Sequence, residues 1–462
     1  MALYAHQQPG FYRRVWRLSL PIILQNLITF SLGLIDTFMV SQLGNEEMAA
    51  VTAANTPIFL LISIVFGVQS GLAILASQYW GKGDLKNINR ALGVAVFLGS
   101  IMTLLLALVF ALFPVTVMDL LSNRHDLSLI GAPYLRIVGI SYVFNMFSSI
   151  YVSAQRSVEN GSFGMKVFGF SGILNAALNY LLIFGKFGCP ALGVTGAAVA
   201  TLMSRVAEFI ICAVAAIRSR RIPLDLAVFL HPGMDMLRKF VKYSSPVILN
   251  EAAWGLGTSL LTVILGYTHN SVEMLAANAV MGTLHRLFLV VCFGLGAATG
   301  VIMGKAIGEG QSKEQVMGLG HALLRFCVLV GSVIAAVALA LVPLLFIPVV
   351  FPMFKLYGDS ASIATAMAVT AFAAIPLHSC AITSITGILR AGGDVIWSTV
   401  LDLVPQWLFC IPATALVALV LQAGWWPIAI AMQLESIIKT PLCYYRLRND
   451  RWIHDVTKGR DL

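Results

Sequence analysis

A few acids and amides stand inside runs of residues that otherwise carry no charge. Asp36 lies about five residues, roughly 8 Å at helical rise, from the end of the apolar run 15–41. An ionisable side chain at that depth in an apolar medium costs a few kcal/mol, so it needs a partner or a use. Asn175 and Asn179 are four apart in the run 163–185, so on a helix they share one face. Two amides turned toward one carboxylate make an oxygen-rich pocket suited to a hard cation such as sodium. They equally make a hydrogen-bond cradle for a carboxylate that takes up a proton. The plainer alternative is interhelical amide bonding with a purely structural use.

The second half has its own acids. Glu251 is about eight residues into the run 242–267, Asp402 about seven into 395–421, and Glu435 near the middle of 424–446. Three buried carboxylates with few cations repel one another unless a proton or metal ion joins them. For Glu435 an i,i+4 pair with Lys439 is the simpler role. His285, Arg286 and His378 also fall in apolar runs; a histidine can relay protons, although packing is its commoner role. No GxxxxGK[ST], HExxH or GxSxG occurs. ATP-driven and hydrolytic chemistry therefore have no basis here, and no enzyme is expected. Seven cysteines, none in a CxxC, argue against a disulfide scaffold or a zinc site.

These groups need elements that hold them at depth. The 462 residues are 58% hydrophobic and 11% charged, with a mean hydropathy of +0.86, whereas a soluble chain is about a quarter charged. The surrounding solvent must be lipid. Apolar runs fall near 15–41, 48–79, 90–116, 128–154, 163–185, 192–217, 242–267, 275–304, 318–350, 359–388, 395–421 and 424–446. Each approaches or exceeds the roughly 20 residues a spanning helix needs. Backbone hydrogen bonds must be met internally in hydrocarbon, so an all-α polytopic protein of twelve transmembrane helices is expected. The first run is too long for a signal peptide and is read as a retained helix.

The +9 charge could suggest nucleic acid, but the basic residues lie in alternate loops rather than on one patch. One side holds Arg13, Arg14, Arg17, Lys82, Lys86, Arg90, Arg156, Lys166, the cluster from Arg218 to Lys242, Lys305, Lys313, Arg390, Arg446 to Arg451, Lys458 and Arg460. The other side has Arg124, Lys186 and Lys355. The positive-inside rule then predicts both termini in the cytoplasm of an inner-membrane protein.

The chain also resembles itself. Ser19–Leu20–Pro21–Ile22–Ile23–Leu24–Gln25–Asn26 is similar to Ser244–Ser245–Pro246–Val247–Ile248–Leu249–Asn250–Glu251 at an offset of 225. Gly81–Lys82–Gly83 is similar to Gly308–Glu309–Gly310 at 227, and Gly161 and Gly193 match Gly392 and Gly424 at 231. This order predicts two six-helix lobes, 1–217 and 242–446, with a basic cytoplasmic linker 218–241 and a tail 447–462. An even number of spans per lobe predicts a pseudo-two-fold along the membrane normal.

The Pro21 segment leads to Gly33–Leu34–Ile35–Asp36–Thr37. After it come Gln69–Ser70–Gly71, Gly81–Lys82–Gly83–Asp84, Leu275–Ala276–Ala277–Asn278–Ala279 and Gly387–Ile388–Leu389–Arg390–Ala391–Gly392–Gly393–Asp394. In this order they resemble the multidrug and toxic compound extrusion (MATE) family over nearly the whole chain. The resemblance implies export of amphipathic organic cations or drugs in exchange for sodium ions or protons. It implies a cation site in the first lobe at Asp36, Asn175, Asn179 and Thr201, with sodium possible at Asp36, Asn175 and Asn179. Some relatives have an acid where this chain has Asn179, which leaves the ion open. A second-lobe site for a proton, cation or substrate would use Glu251, with Asp402 and Glu435 nearby; the span-ten acid of that branch has no counterpart in Ala374–Cys380. The expected protein is a monomer needing no cofactor besides the coupling ion. Its partners are small organic cations and the bilayer, without nucleic acid. The competing expectation is a flippase for a lipid-linked sugar precursor, which would need a cationic cavity; Arg136, Arg205 and Arg286 are the side chains that could make one.

Overall fold

The computed structural model describes residues 10–120 and 124–458; Arg460, counted above with the basic tail, lies outside them. Ten helices among the described residues are long and apolar enough to cross a bilayer. They are α1 (Phe11–Ser41), α2 (Asn45–Lys82), α3 (Leu85–Leu112), α4 (His125–Ser157), α5 (Gly161–Phe184), α6 (Gly193–Arg218), α7 (Met234–Gly266), α8 (Ser271–Gly308), α9 (Lys313–Met353) and α11 (Val395–Val420). Between α9 and α11, α10 is a pair, Asp359–Ala373 and Ile375–Leu389, bent by 46°. Pro376 opens the second piece; it lacks an N–H and its ring crowds the preceding turn, a common cause of a kink. The last run forms two short helices, Trp425–Ala431 and Leu434–Leu447, together α12. Neither is long enough to cross alone, and the second carries Glu435, Lys439 and Arg446. The chain is an all-α polytopic membrane protein.

Among the described residues, 20–248 form one compact unit, and 249–458 with 10–19 form the other. In the first, α4 packs on α2, α3 and α6, and α5 on α6, around Ile58, Leu61, Phe110, Met118, Leu135 and Val138. In the second, α10 packs on α8 and α9, and the rings of Phe288, Phe346 and Phe372 meet at 5.2–6.5 Å between centroids. Lipid tails are as apolar as these side chains, so such contacts stabilise by packing and geometry rather than by escape from water.

The internal resemblance has a structural cause at the helix ends. Gly83 ends α2 at φ 73°, its N–H bonding Trp80 O and the next N–H bonding Tyr79 O, each at 3.0 Å. Gly310 closes α8 at φ 76° with the same two bonds, to Ile307 O at 3.0 Å and Ala306 O at 3.2 Å. This left-handed cap suits glycine because it has no Cβ. Each glycine is followed by a new N-cap: Asp84 accepts from Asn87 N, and Ser312 forms a capping box with Gln315. The later turn differs from its expected alignment. Its left-handed residues are Glu159 (φ 61°) and Gly393 (φ 80°), with matching bonds to Arg156 O and Arg390 O at 3.0 Å. The structural offset is therefore 234, and Gly161 and Gly392 are not equivalent positions.

The ladder loosens in the second half. Val342–Val350, Thr383–Leu389, Pro405–Cys410 and Leu416–Val420 are wound with i→i+5 bonds. Such π segments are rare and cluster at functional sites. One of them ends immediately before Arg390, whose N–H bonds Ile385 O at 3.1 Å.

Candidate functional site

In the first unit the turn between α5 and α6 fixes their register. Leu192 N bonds Leu182 O at 2.8 Å, and further along Ser171 Oγ donates to Ser204 O at 3.3 Å. Antiparallel helices pinned at those points place Asn179 and Asn175 opposite the stretch that runs from Ala197 to Thr201. Asn179 Nδ2 donates to Asp36 Oδ1 from α1 and to Asn175 Oδ1 at 3.2 Å. Three of the four expected residues thus form one chain, Asp36–Asn179–Asn175. Thr201 is on the facing helix, but its hydroxyl donates to Ala197 O at 3.0 Å within its own helix. Asn179 is 1% exposed, and its Oδ1 is buried without a hydrogen-bond partner. That oxygen, next to a carboxylate, is the kind of ligand a hard cation takes.

Deeper along α6 is an ion pair that the sequence reading does not single out. Arg205 Nη1 donates to Glu208 Oε1 at 2.9 Å and Oε2 at 3.0 Å, and Asn145 Nδ2 of α4 reaches Glu208 Oε2 at 3.5 Å. Glu208 is 2% exposed. The signal was available: an acid about fifteen residues into an apolar run.

The second unit pairs its acids. Lys439 Nζ donates to Asp402 Oδ1 at 2.6 Å and Glu435 Oε1 at 2.7 Å. Asn250 Nδ2 donates to Asp402 Oδ2 at 2.7 Å. Arg390 Nη2 donates to Glu251 Oε1 at 3.2 Å. Asp402 and Glu435 therefore share Lys439, while Glu251 pairs separately with Arg390. Glu435 makes the i,i+4 contact with Lys439 and shares that lysine with Asp402. Arg390, read from sequence as a loop cation, is 2% exposed. Its Nε and Nη1 are buried without partners, so this network is not saturated.

His285 and His378 meet edge to face at 5.1 Å. His378 Nδ1 lies 3.0 Å from Ala374 O, which can only accept, so that nitrogen carries the proton. Among the described residues no three His, Cys, Asp or Glu side chains converge as a metal site would require. Outside the spans, Asp394 is held by Arg446 at 2.7 Å. Burial nonetheless raises its carboxyl above the ordinary value against the pull of that guanidinium.

The MatE family profile matches residues 21–181, which contain Asp36, Asn175 and Asn179. The chain is 25% identical to the probable multidrug resistance protein YoeA of Bacillus subtilis, covering 87% of this chain and 85% of that one. It is 27% identical to the multidrug resistance protein MdtK of Pectobacterium atrosepticum, covering 88% of each. Among solved structures, a MATE protein in complex with MaL6 superposes with a TM-score of 0.84 at 17% identity, over 95% of this chain and 96% of that one. An outward-facing multidrug resistance MATE transporter of the MOP superfamily gives 0.82 at 18%, with the same coverage. Such low identities carry the fold alone, and here the fold is the twelve-helix, two-lobed one. The chain is thus similar to the multidrug and toxic compound extrusion (MATE) transporters, in sequence over residues 21–181 and against these relatives, and in fold over nearly its whole length.

Proposed function

We propose that this transporter is a secondary active antiporter, exporting amphipathic organic cations or drugs in exchange for sodium ions or protons. It works as a monomer in the inner membrane with both termini cytoplasmic. Residues 1–217 and 242–446 are its lobes, 218–241 the linker and 447–462 the tail. The names of YoeA and MdtK support a drug substrate, and the alternating basic loops support the orientation.

One observation carries the coupling. Asp36 is bonded to an amide, and among the described residues it makes no ion pair. Glu251, Asp402 and Glu435 each have a lysine or arginine within 3.2 Å. A carboxylate with only neutral partners can take an external cation without first displacing an internal one. The orphaned Asn179 Oδ1, Asn175 and Thr201 supply further oxygens for sodium, and the same amides suit a protonated carboxyl. Antiport requires that ion and drug favour different states, since equal affinity for both would couple nothing. The pairing of Arg205 with Glu208, of Arg390 with Glu251 and of Lys439 with Asp402 and Glu435 gives each of these cations a carboxylate partner, which does not favour a pyrophosphate-binding flippase.

The test is efflux of ethidium, a fluorescent organic cation, from proteoliposomes under an imposed sodium or pH gradient. Gradient-dependent efflux is expected. Transport of a lipid-linked sugar pyrophosphate with no response to ethidium would overturn the reading.

A further inference from the structure

We propose that Glu208 is a positioning residue: it holds Arg205 away from Asp36 and so keeps Arg205 from taking the place of the external cation. The inference rests on the reading that Asp36 couples transport.

Arg205 is a cation on the helix that faces this site, and its charge acts on Asp36. It stands one turn beyond Thr201 on α6, the helix whose Ser204 backbone accepts from Ser171 on the α5 face that also bears Asn175. Its charge reaches Asp36 as well as Glu208. The structure records Arg205 committed to Glu208, with one guanidinium nitrogen shared between both carboxylate oxygens. Glu208 is held in turn by Asn145 and is 2% exposed, while Arg205 is 26% exposed. The acid is thus the fixed member of the pair and the arginine the freer one. Other titratable groups around them are Tyr134 and Tyr142 of α4 and Cys212 of α6; none is a second cation.

The charges make the consequence definite. With all three groups ionised, Asp36, Glu208 and Arg205 sum to one negative charge, which one sodium ion or proton neutralises. Without Glu208 the sum is zero, Arg205 has Asp36 as its remaining acid, and the site no longer calls for an external cation.

The experiment measures ethidium efflux from proteoliposomes holding purified full-length protein, as a function of the imposed sodium or proton concentration. Glu208→Gln should raise the half-saturating ion concentration of the order of tenfold or more, or abolish the ion response. Glu208→Gln combined with Arg205→Gln should restore the wild-type response, because the competitor is gone. A structural role for Glu208 would not give that rescue. Arg205→Lys keeps the charge but replaces the planar donor with a compact one; it should shift the response in the same direction by less, and it serves if Glu208→Gln does not fold. A wild-type response in Glu208→Gln, a double variant no better than the single, or (where only it folds) an unshifted Arg205→Lys would overturn the proposal. Asp36→Asn is run alongside: if it responds to the gradient as wild type does, the coupling reading itself fails. If Asp36→Asn is inactive and the Glu208 series behaves otherwise than stated, only the present inference fails.

Discussion

Lys439 donates to Asp402 across 2.6 Å, tying α12 to α11 inside the second unit. The same ammonium holds Glu435 one turn away, so one lysine, 7% exposed, serves two acids. Removing it strands both. Lys439→Met should destabilise the protein by about 3 kcal/mol or more, the usual cost of leaving a buried charge without its partner. Asp402→Asn should cost less, because Lys439 keeps Glu435. In a double-mutant cycle followed by thermal unfolding in detergent, the two losses should not add. Additive losses would mean that the contact contributes nothing.

The left-handed caps allow a cleaner comparison. A Cβ at Gly83 would meet nothing within 4 Å, whereas one at Gly393 would come 2.9 Å from Val456 and 3.2 Å from His454. Gly83→Ala should therefore cost only the backbone term, about 1 kcal/mol, and Gly393→Ala should cost more. Glu159 holds the same conformation with a side chain, so Glu159→Gly should leave stability unchanged or raise it. Unfolding midpoints of the three purified variants decide the order.

These particulars mark how far the sequence could be read. The spans were legible because lipid demands long, continuous apolar runs, whereas the bend of α10 at Pro376 was not read from the sequence. The halves were legible through Gly83 and Gly310, since a left-handed cap recruits glycine twice. The next pair hid itself because Glu159 does in one half what Gly393 does in the other. The spacing of Asn175 and Asn179 gave a shared face, but only the α5–α6 turn says which groups that face meets. Arg390 looked like a loop cation because it follows the apolar run, yet it continues the π segment Thr383–Leu389 and pairs with Glu251. Pairing is a tertiary fact, so sequence offered three acids in the second half without their partners.

Asn179 is the hinge of the first-unit chain, donating to both Asp36 and Asn175. Asn179→Ala removes the amide that donates to Asp36 together with the orphaned oxygen. Its half-saturating ion concentration for efflux should rise roughly tenfold, within the usual range of coupling energies. Thr201→Val should change it far less, since that hydroxyl is already engaged with Ala197. Equal shifts in the two variants would place the cation closer to α6 than the hydrogen bonds suggest.

The sharpest comparison sets Asp36 against Glu251. Asp36→Asn removes one charge at nearly constant volume and leaves an amide beside an amide, so no cation loses a partner. The protein should insert, purify and unfold as the wild type does, yet lose gradient-driven efflux of ethidium. Glu251→Gln also removes one charge, but it frees Arg390, which is 2% exposed and already has two unpartnered nitrogens. A stranded guanidinium should lower stability by about 3 kcal/mol before any effect on coupling is read. The two variants therefore differ in kind: lost coupling at wild-type stability for Asp36, lost stability with whatever activity survives for Glu251. Thermal unfolding and efflux on the same preparations separate them. A stable Glu251→Gln protein without gradient response, beside an Asp36→Asn protein that pumps normally, would move the coupling site into the second unit.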